Sequence, residues 1–410
     1  MNILLITNNL YPTGGDWTYV KSIADIYQKH GHKVFLWGQK NEKNTYHENE
    51  EFFVENVNAQ DSRGKYLSAI SILKRSIYSK ESFEKLTLFL EKFQIDIAQI
   101  NSINIGLTPS VIEALYAKKI PILWRILDYK PICPTIHLMR NNTVCEDCIG
   151  GKYYKCILKK CKNSSLSDSI AVALETYYNI NKSYYKHVNA LSFQNFFTRD
   201  VFKKWKFHIN DSCVINNPYE VSSIIPNYKV GDYVLYFGKT DENKGVMTLL
   251  KSANINKDIR YVIVGVGTQD KLITNYIKDN NLDNVSFVGP KWGMEMEELI
   301  DNCAFVVVPS EWYEPSPYVI LQTNGHGKTL IASEIGGIPE MVKKEETGLL
   351  FEPHNVNDLA EKIRYLFERK ETIISFGKAG RKYVEEEFSP DKYYAKTMEV
   401  FDNLINGKKL

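Results

Sequence analysis

DYVLYFGKTDENKGVMTLLKSANINKDIRYVIVGVG (232–267) decides the architecture of this chain. Two apolar runs of strand length, YVLYF and YVIVGV, flank a polar loop and a stretch with helical spacing that starts near Val246. Strand, helix, strand is a βαβ unit, and such units build parallel sheets. The pattern continues through VSFVG (285–289), CAFVVVPS (303–310) and TLIAS (329–333), with helical stretches between. The same alternation opens the chain. NILLIT (2–7) precedes a glycine turn, YPTGGDW (11–17), and an amphipathic helix through about Lys29. HGHKVFLW (30–37), IDIAQI (95–100) and IPILWRI (120–126) follow as strands, with a helix from Pro109 to Ala117. PYEVSSIIP (218–226) reads as the linker between the two halves. After FSPDKYY (388–394) a last helical stretch follows the second sheet and is placed to cross back to the first half. The fold class is therefore α/β, with two Rossmann-like doubly wound domains facing a shared ligand cleft.

Composition fits that reading. Of the 410 residues, 44% are hydrophobic and 24% charged, which excludes disordered, collagen-like and coiled-coil classes. No apolar run approaches the roughly 18 residues of a membrane span. MNILLITNN has no basic leader and reads as a first strand, so a cytoplasmic location is expected. The net charge of +2 conceals an asymmetry. Residues 1–220 hold 28 basic and 21 acidic side chains, and residues 221–410 hold 23 and 28. The basic half suits an anionic partner, a membrane surface or a phosphorylated substrate, or is a solvated face. The near-neutral total argues against nucleic acid.

Several loops at strand ends carry candidate chemistry. Gly14 and Gly15 open the first helix, where backbone amides favour anions. In FGKTDENKG (237–245), Gly238 and Lys239 end a strand, and Lys244 precedes Gly245 and a helix. Two lysines at one helix N-terminus make a diphosphate clamp, or are surface lysines. Gly265 and Gly267 end the next strand. The densest stretch is PSEWYEPSPYVILQTNGHGKTLIASEIGGIPEMVKKEETGLLFEP (309–353). There a strand ends at Ser310, Glu311 and Glu314 sit in the loop, a helix starts around Pro317, and Gln322 lies eight residues after Glu314. Gly348 marks a further turn.

PSEWYE (309–314), GGIPEMV (336–342) and TGLLF (347–351), with YPTGGDW…HGHKV and FGK…KG in this order, resemble glycosyltransferase family 4, nucleotide-sugar enzymes of the GT-B fold. The likeness is to capsule, O-antigen and other surface-polysaccharide enzymes. It implies an acceptor-side domain over 1–225, a nucleotide-sugar domain over 226–388 and a crossover helix over 389–410 packing on the first domain. It implies transfer of a sugar from a UDP-, dTDP- or GDP-sugar to a saccharide hydroxyl, with retention and no obligatory metal. Glu314 would bind donor-sugar hydroxyls, Gln322 the ribose, and Lys239 and Lys244 the diphosphate. Amides of Gly14, Gly15, Ser316, Tyr318 and Val319, beside Pro315 and Pro317, would contact phosphate or sugar. Asp128 is the base if the enzyme inverts. Where relatives carry His-Asp this chain has Leu127-Asp128, and Gln322 replaces the second Glu. These departures mean a changed donor, such as a 6-deoxy sugar, or weakened activity. A silent GT-B partner subunit and a GT-B sugar-nucleotide epimerase are the competing readings.

Five of the seven cysteines fall within 133–161. Cys145, Cys148, Cys156 and Cys161 have structural-zinc spacing, with Cys133 or His137 as alternates, or else form a cluster of buried thiols. The segment also carries Lys152, Lys155, Lys159, Lys160 and Lys162 with no acid between them. Residues 62–92, basic around Leu67, Ile70, Leu73 and Ile77, read as a helix lying on a membrane or packed on the first sheet. The expected setting is peripheral, at the inner membrane face, with a polyprenyl-diphosphate-linked saccharide as acceptor.

Overall fold

The computed structural model describes residues 1–12, 14–56, 77–103 and 106–410. They form two compact units: Met1–Leu138 with Glu146–Pro218 and Pro390–Leu410, and Met139–Cys145 with Tyr219–Ser389.

The first unit is built on six parallel strands: β1 (Asn2–Ile6), β2 (Lys33–Trp37), β3 (Ile97–Ile100), β4 (Ile122–Arg125), β7 (Ala190–Phe193) and β8 (Ser212–Val214). Their spatial order is β2-β1-β3-β4-β7-β8. Ile3, Leu4, Leu5 and Ile6 are all fully buried, because a central parallel strand is covered on both faces and reads as a continuous apolar run. Helices α1 (Gly15–Lys29), α2 (Lys80–Lys92), α3 (Ser110–Ala117), α4 (Tyr154–Leu158), α5 (Leu166–Asn181) and α6 (Phe196–Lys204) complete this unit up to the second. Side-chain caps start three of them: Ser79, Ser165 and Asn195 accept from the amides of Ser82, Asp168 and Thr198. In α2, Leu86 and Phe89 are buried and Phe89 packs edge-on against Phe35 of β2, so this part of 62–92 is a helix packed on the sheet. Leu67, Ile70 and Leu73 lie outside the described residues.

The second unit repeats the plan with β9 (Tyr233–Lys239), β10 (Arg260–Val266), β11 (Val285–Phe287), β12 (Phe305–Val308), β13 (Leu330–Ser333) and β14 (Gly348–Phe351). The order β11-β10-β9-β12-β13-β14 is the 3-2-1-4-5-6 order of dinucleotide-binding sheets. Its helices are α7 (Val246–Ile255), α8 (Asp270–Asp279), α9 (Met294–Asp301), α10 (Tyr318–Gly325), α11 (Ile338–Met341), α12 (Val356–Phe367) and α13 (Lys370–Glu387). The hairpin β5 (Met139–Arg140)–β6 (Thr143–Val144) belongs to this unit, although in sequence it falls inside the cysteine-rich segment. The stretch 219–226 also belongs here, because the Arg381 guanidinium donates to the carbonyls of Val221 (2.9 Å) and Ile224 (3.0 Å). Gly348, expected as a turn, instead begins edge strand β14, with Leu330 as its register partner.

The last helix, α14 (Pro390–Ile405), is part of the first unit. Its Tyr393 hydroxyl meets those of Tyr19 (2.7 Å) and Tyr27 (3.2 Å) on α1, in a buried network that Gln99 completes. Burial pushes all three tyrosines well up, so each stays a neutral hydroxyl.

Candidate active site

In the second unit the strand order reverses beside β9, which has β10 on one side and β12 on the other. A crevice for ligands opens at such a switch point, at the carboxyl ends of the strands. Two loops meet there, 240–245 after β9 and 309–317 after β12. The Glu311 amide donates to the Asn243 carbonyl at 2.9 Å. Gly245 has φ 69° and lies so close to the second loop that a Cβ would sit 1.8 Å from the Pro309 carbonyl oxygen. Only glycine fits both demands.

Glu314 is the centre of the arrangement and is 6% exposed. Its Oε2 accepts from Lys244 Nζ (2.6 Å), Trp312 Nε1 (2.7 Å) and Ser310 Oγ (3.1 Å). The same ammonium lies 5.1 Å from the Trp312 ring centroid. Among the described residues, Oε1 accepts no hydrogen bond. Gly336, at φ 62°, lets the next loop approach: a Cβ there would stand 2.6 Å from the Glu314 nitrogen. Glu314 is thus no helix cap. It is a buried carboxylate held by a cation and two neutral donors.

Glu311, three residues earlier and 2% exposed, plays another part. It accepts from Thr248 on α7 and from Asn142 at the β5–β6 tip (2.6 Å), and His354 Nδ1 lies 3.4 Å from its Oε2. This buried acid ties α7, the hairpin and the segment after β14 together.

The other expected residues fall around this pair. Gly238 and Gly265 are register partners on β9 and β10, at φ 144° and 157°. Lys239 is exposed at the end of β9, and among the described residues it makes no ion pair. The Tyr236 hydroxyl, pushed up by burial with the Glu314 charge nearby, donates to the Lys239 carbonyl. Lys244, expected on a diphosphate, is paired with Glu314. Pro317 caps α10, so the amides of Tyr318 and Val319 open its first turn. Gln322 lies further along the same helix, half-buried.

In the first unit, Gly14 caps α1 at φ 126° and Gly15 starts it. Asp128 turns its Oδ1 back to the Lys130 amide at 2.8 Å. It lines an open pocket at the carboxyl ends of β3 and β4, with Asn101, Trp124, Leu127, Lys130, Glu175 and Asn179. Lys130 and Glu175 form an ion pair at 2.9 Å, with side chains 15% and 8% exposed. Asn179 is 3% exposed, and among the described residues its Oδ1 has no hydrogen-bond partner. The loops of this pocket show in the sequence, but Glu175 and Asn179 sit on a helix with no loop signal.

The expected zinc set is not assembled. Among the described residues no three His, Cys, Asp or Glu side chains are grouped to hold a metal ion. Cys145 closes the hairpin segment of the second unit, whereas Cys148, Cys156 and Cys161 lie in the first. Burial, with the Cys161, Cys148 and Cys133 thiols nearby, pushes Cys156 up to about 12. Cys148 and Cys156 are buried and Cys145 and Cys161 half-buried, and among the described residues none of them forms a disulfide.

Comparison with known proteins agrees with this geometry. Residues 222–383 match the family described as "Glycosyl transferases group 1". An uncharacterized glycosyltransferase of Methanocaldococcus jannaschii is 32% identical over 43% of this chain and 50% of its own length. The N,N'-diacetylbacillosaminyl-diphospho-undecaprenol alpha-1,3-N-acetylgalactosaminyltransferase of Campylobacter jejuni is 29% identical over 35% of this chain and 38% of its own. Each alignment thus spans half or less of the relative. An Anabaena protein solved in complex with UDP superposes over 98% of this chain and 100% of its own, with a TM-score of 0.70 and 16% identity. The fold is GT-B.

Proposed function

We propose that this chain is a nucleotide-sugar-dependent glycosyltransferase of family 4 that acts in surface-polysaccharide synthesis, with retention of configuration. The observation that carries the reading is the Lys244–Glu314 pair at the switch point of the second sheet. The family match over that unit, and a like fold crystallised with UDP, support a nucleoside diphosphate sugar as donor.

In this reading the bond between the anomeric carbon and the diphosphate oxygen breaks, and charge grows on the phosphate. Lys244 moves from Glu314 to that charge, aided by Lys239 and the α10 amides, and stabilises the leaving group. Glu314 turns its released carboxylate to the sugar hydroxyls. The acceptor oxygen attacks the same face, and its proton passes to the departing phosphate oxygen. Asp128 takes that proton if the attack inverts.

Likeness to a transferase named for a diphospho-undecaprenol saccharide supports a lipid-linked acceptor and a peripheral seat at the inner membrane face. We place the acceptor sugar in the pocket of the first unit. The unpartnered Asn179 Oδ1 then gains its hydrogen bond from an acceptor hydroxyl. Asn179→Leu should raise the acceptor KM about tenfold, the worth of one hydrogen bond. It should leave donor binding and thermal stability intact, because the free enzyme loses no bond. An unchanged acceptor KM sinks this assignment.

The function is tested by a thermal-shift screen against UDP-, dTDP- and GDP-sugars, 6-deoxy donors included. A saturating donor raises the melting temperature by mass action. No shift with any donor favours the silent-partner reading. A shift with isomerised donor and no transfer favours the epimerase.

A further inference from the structure

Helix α5 carries two unlike faces. At about 100° per residue, Leu166, Ile170 and Leu174 share roughly 80° of arc. Glu175 and Asn179, which line the pocket, lie on the opposite side. The apolar face is bare: Leu166, Ile170 and Leu174 are 50%, 37% and 47% exposed. Tyr154 and Leu158, four residues apart on α4, extend it at 48% and 74%. Large exposed apolar side chains on two helices that pack together mark an interaction surface.

We infer that this α4–α5 face inserts into an anionic lipid bilayer. The inference rests on the proposed lipid-linked acceptor and adds which face meets the membrane. Charge complementarity selects the occupant. Lys152 precedes α4, Lys155 lies on it, and Lys160 and Lys162 lie between α4 and α5, while Lys159 adds to them although it pairs with Asp147. Apolar side chains rimmed by lysines are the make-up of a segment lying in the interface plane, where lysines meet lipid phosphates. A second copy of this chain is a poor occupant: a two-fold contact would bring two copies of the same basic patch into one interface. One helix then does both tasks. Its outer face holds the bilayer, and its inner face offers Glu175 and Asn179 to the headgroup sugar of a lipid in that bilayer.

The test is co-sedimentation with phosphatidylcholine vesicles, with and without 30% phosphatidylglycerol (about that share gives a strongly anionic surface). The full chain should bind the anionic vesicles and release them at high salt. Leu158→Ser/Ile170→Ser/Leu174→Ser removes three exposed side chains without touching the core and should weaken binding about tenfold or more. Lys152→Gln/Lys155→Gln/Lys160→Gln/Lys162→Gln should weaken it about a hundredfold and abolish the preference for anionic lipid. Wild-type protein that ignores anionic vesicles, or a triple-serine variant that binds like wild type, overturns the inference. So does a wild-type dimer that the serine variant converts to a monomer, since the stripe is then a self-contact. A donor-induced thermal shift retained in the serine variant separates failure of this inference from failure of the transferase reading.

Discussion

Lys244→Met is expected to lower kcat/KM for sugar transfer by about 10²–10³, the usual effect of removing one preorganised donor from a developing oxyanion. It is also expected to lower stability, and the two losses have different origins. Glu314 is 6% exposed and Lys244 Nζ stands 2.6 Å from its Oε2. Removing the cation leaves the carboxylate buried with only the neutral donors Trp312 and Ser310. Breaking a buried pair from one side costs about 3–5 kcal/mol. The Lys244 side chain is 24% exposed, so the low end applies here. The double variant Lys244→Met/Glu314→Gln separates the effects. Gln keeps the shape and the bonds from Trp312 and Ser310 while removing the stranded charge, so the melting temperature should largely recover. Turnover should not recover, because nothing replaces the ammonium on the leaving phosphate. If the single variant melts early yet turns over normally at low temperature, Lys244 is only a counter-ion to Glu314, and the proposed mechanism fails. The pair also bears on the resting enzyme. With no donor bound, Lys244 and Glu314 satisfy each other, so two groups of opposite charge wait in one site at little desolvation cost.

What the sequence makes legible follows from how locally each feature is specified. The second unit is almost fully readable. Its strands are short apolar runs bounded by glycine, proline or polar loops, and the parallel arrangement follows from the alternation. Gly348 is the exception there: a glycine before LLF reads as a turn, yet it opens a buried edge strand against Leu330. In the first unit β7 and β8 escape notice. They hold four and three residues, too few to show a periodic pattern, and β7 is wholly buried while β8 is half-buried. The switch-point glycines and Lys244 are visible because loop chemistry shows in loop composition. The pairing of Lys244 with Glu314 is not visible, because seventy residues separate them and only the β9–β12 adjacency brings them together. The cysteine segment misleads for a related reason. Cys-x2-Cys spacing is local, but a tetrahedral site needs four side chains aimed at one point, and among the described residues no such group is assembled. Glu175 and Asn179 are hidden because i, i+4 polar residues on a helix read as a solvated face until the pocket beneath them is seen.

Gly245→Ala should disable the donor site more completely than any change of a charged side chain, and Gly31→Ala supplies the control. Both glycines have positive φ, 69° and 81°. Placing a β-carbon in that region costs about 1–2 kcal/mol at either position. At Gly31 nothing lies within 4 Å of the new methyl, so that cost is the whole effect. At Gly245 the methyl would sit 1.8 Å from the Pro309 carbonyl oxygen and 3.1 Å from Glu311 Cγ. A backbone oxygen cannot rotate away as a flexible side chain can, so the 240–245 and 309–317 loops must part. Parting them strains the Glu311-amide-to-Asn243 bond and draws Lys244 from Glu314. It also disturbs the buried Glu311 contacts to Thr248, Asn142 and His354. The expected total is about 4 kcal/mol or more, in the range of the most damaging single substitutions. Thermal unfolding should therefore show a small shift for Gly31→Ala and a large one for Gly245→Ala. The donor-induced shift should survive in the first variant and vanish in the second. Equal, small shifts with donor binding intact in both would mean that the two loops do not depend on their close approach at Gly245. The switch-point site would then have to be rebuilt around some other contact.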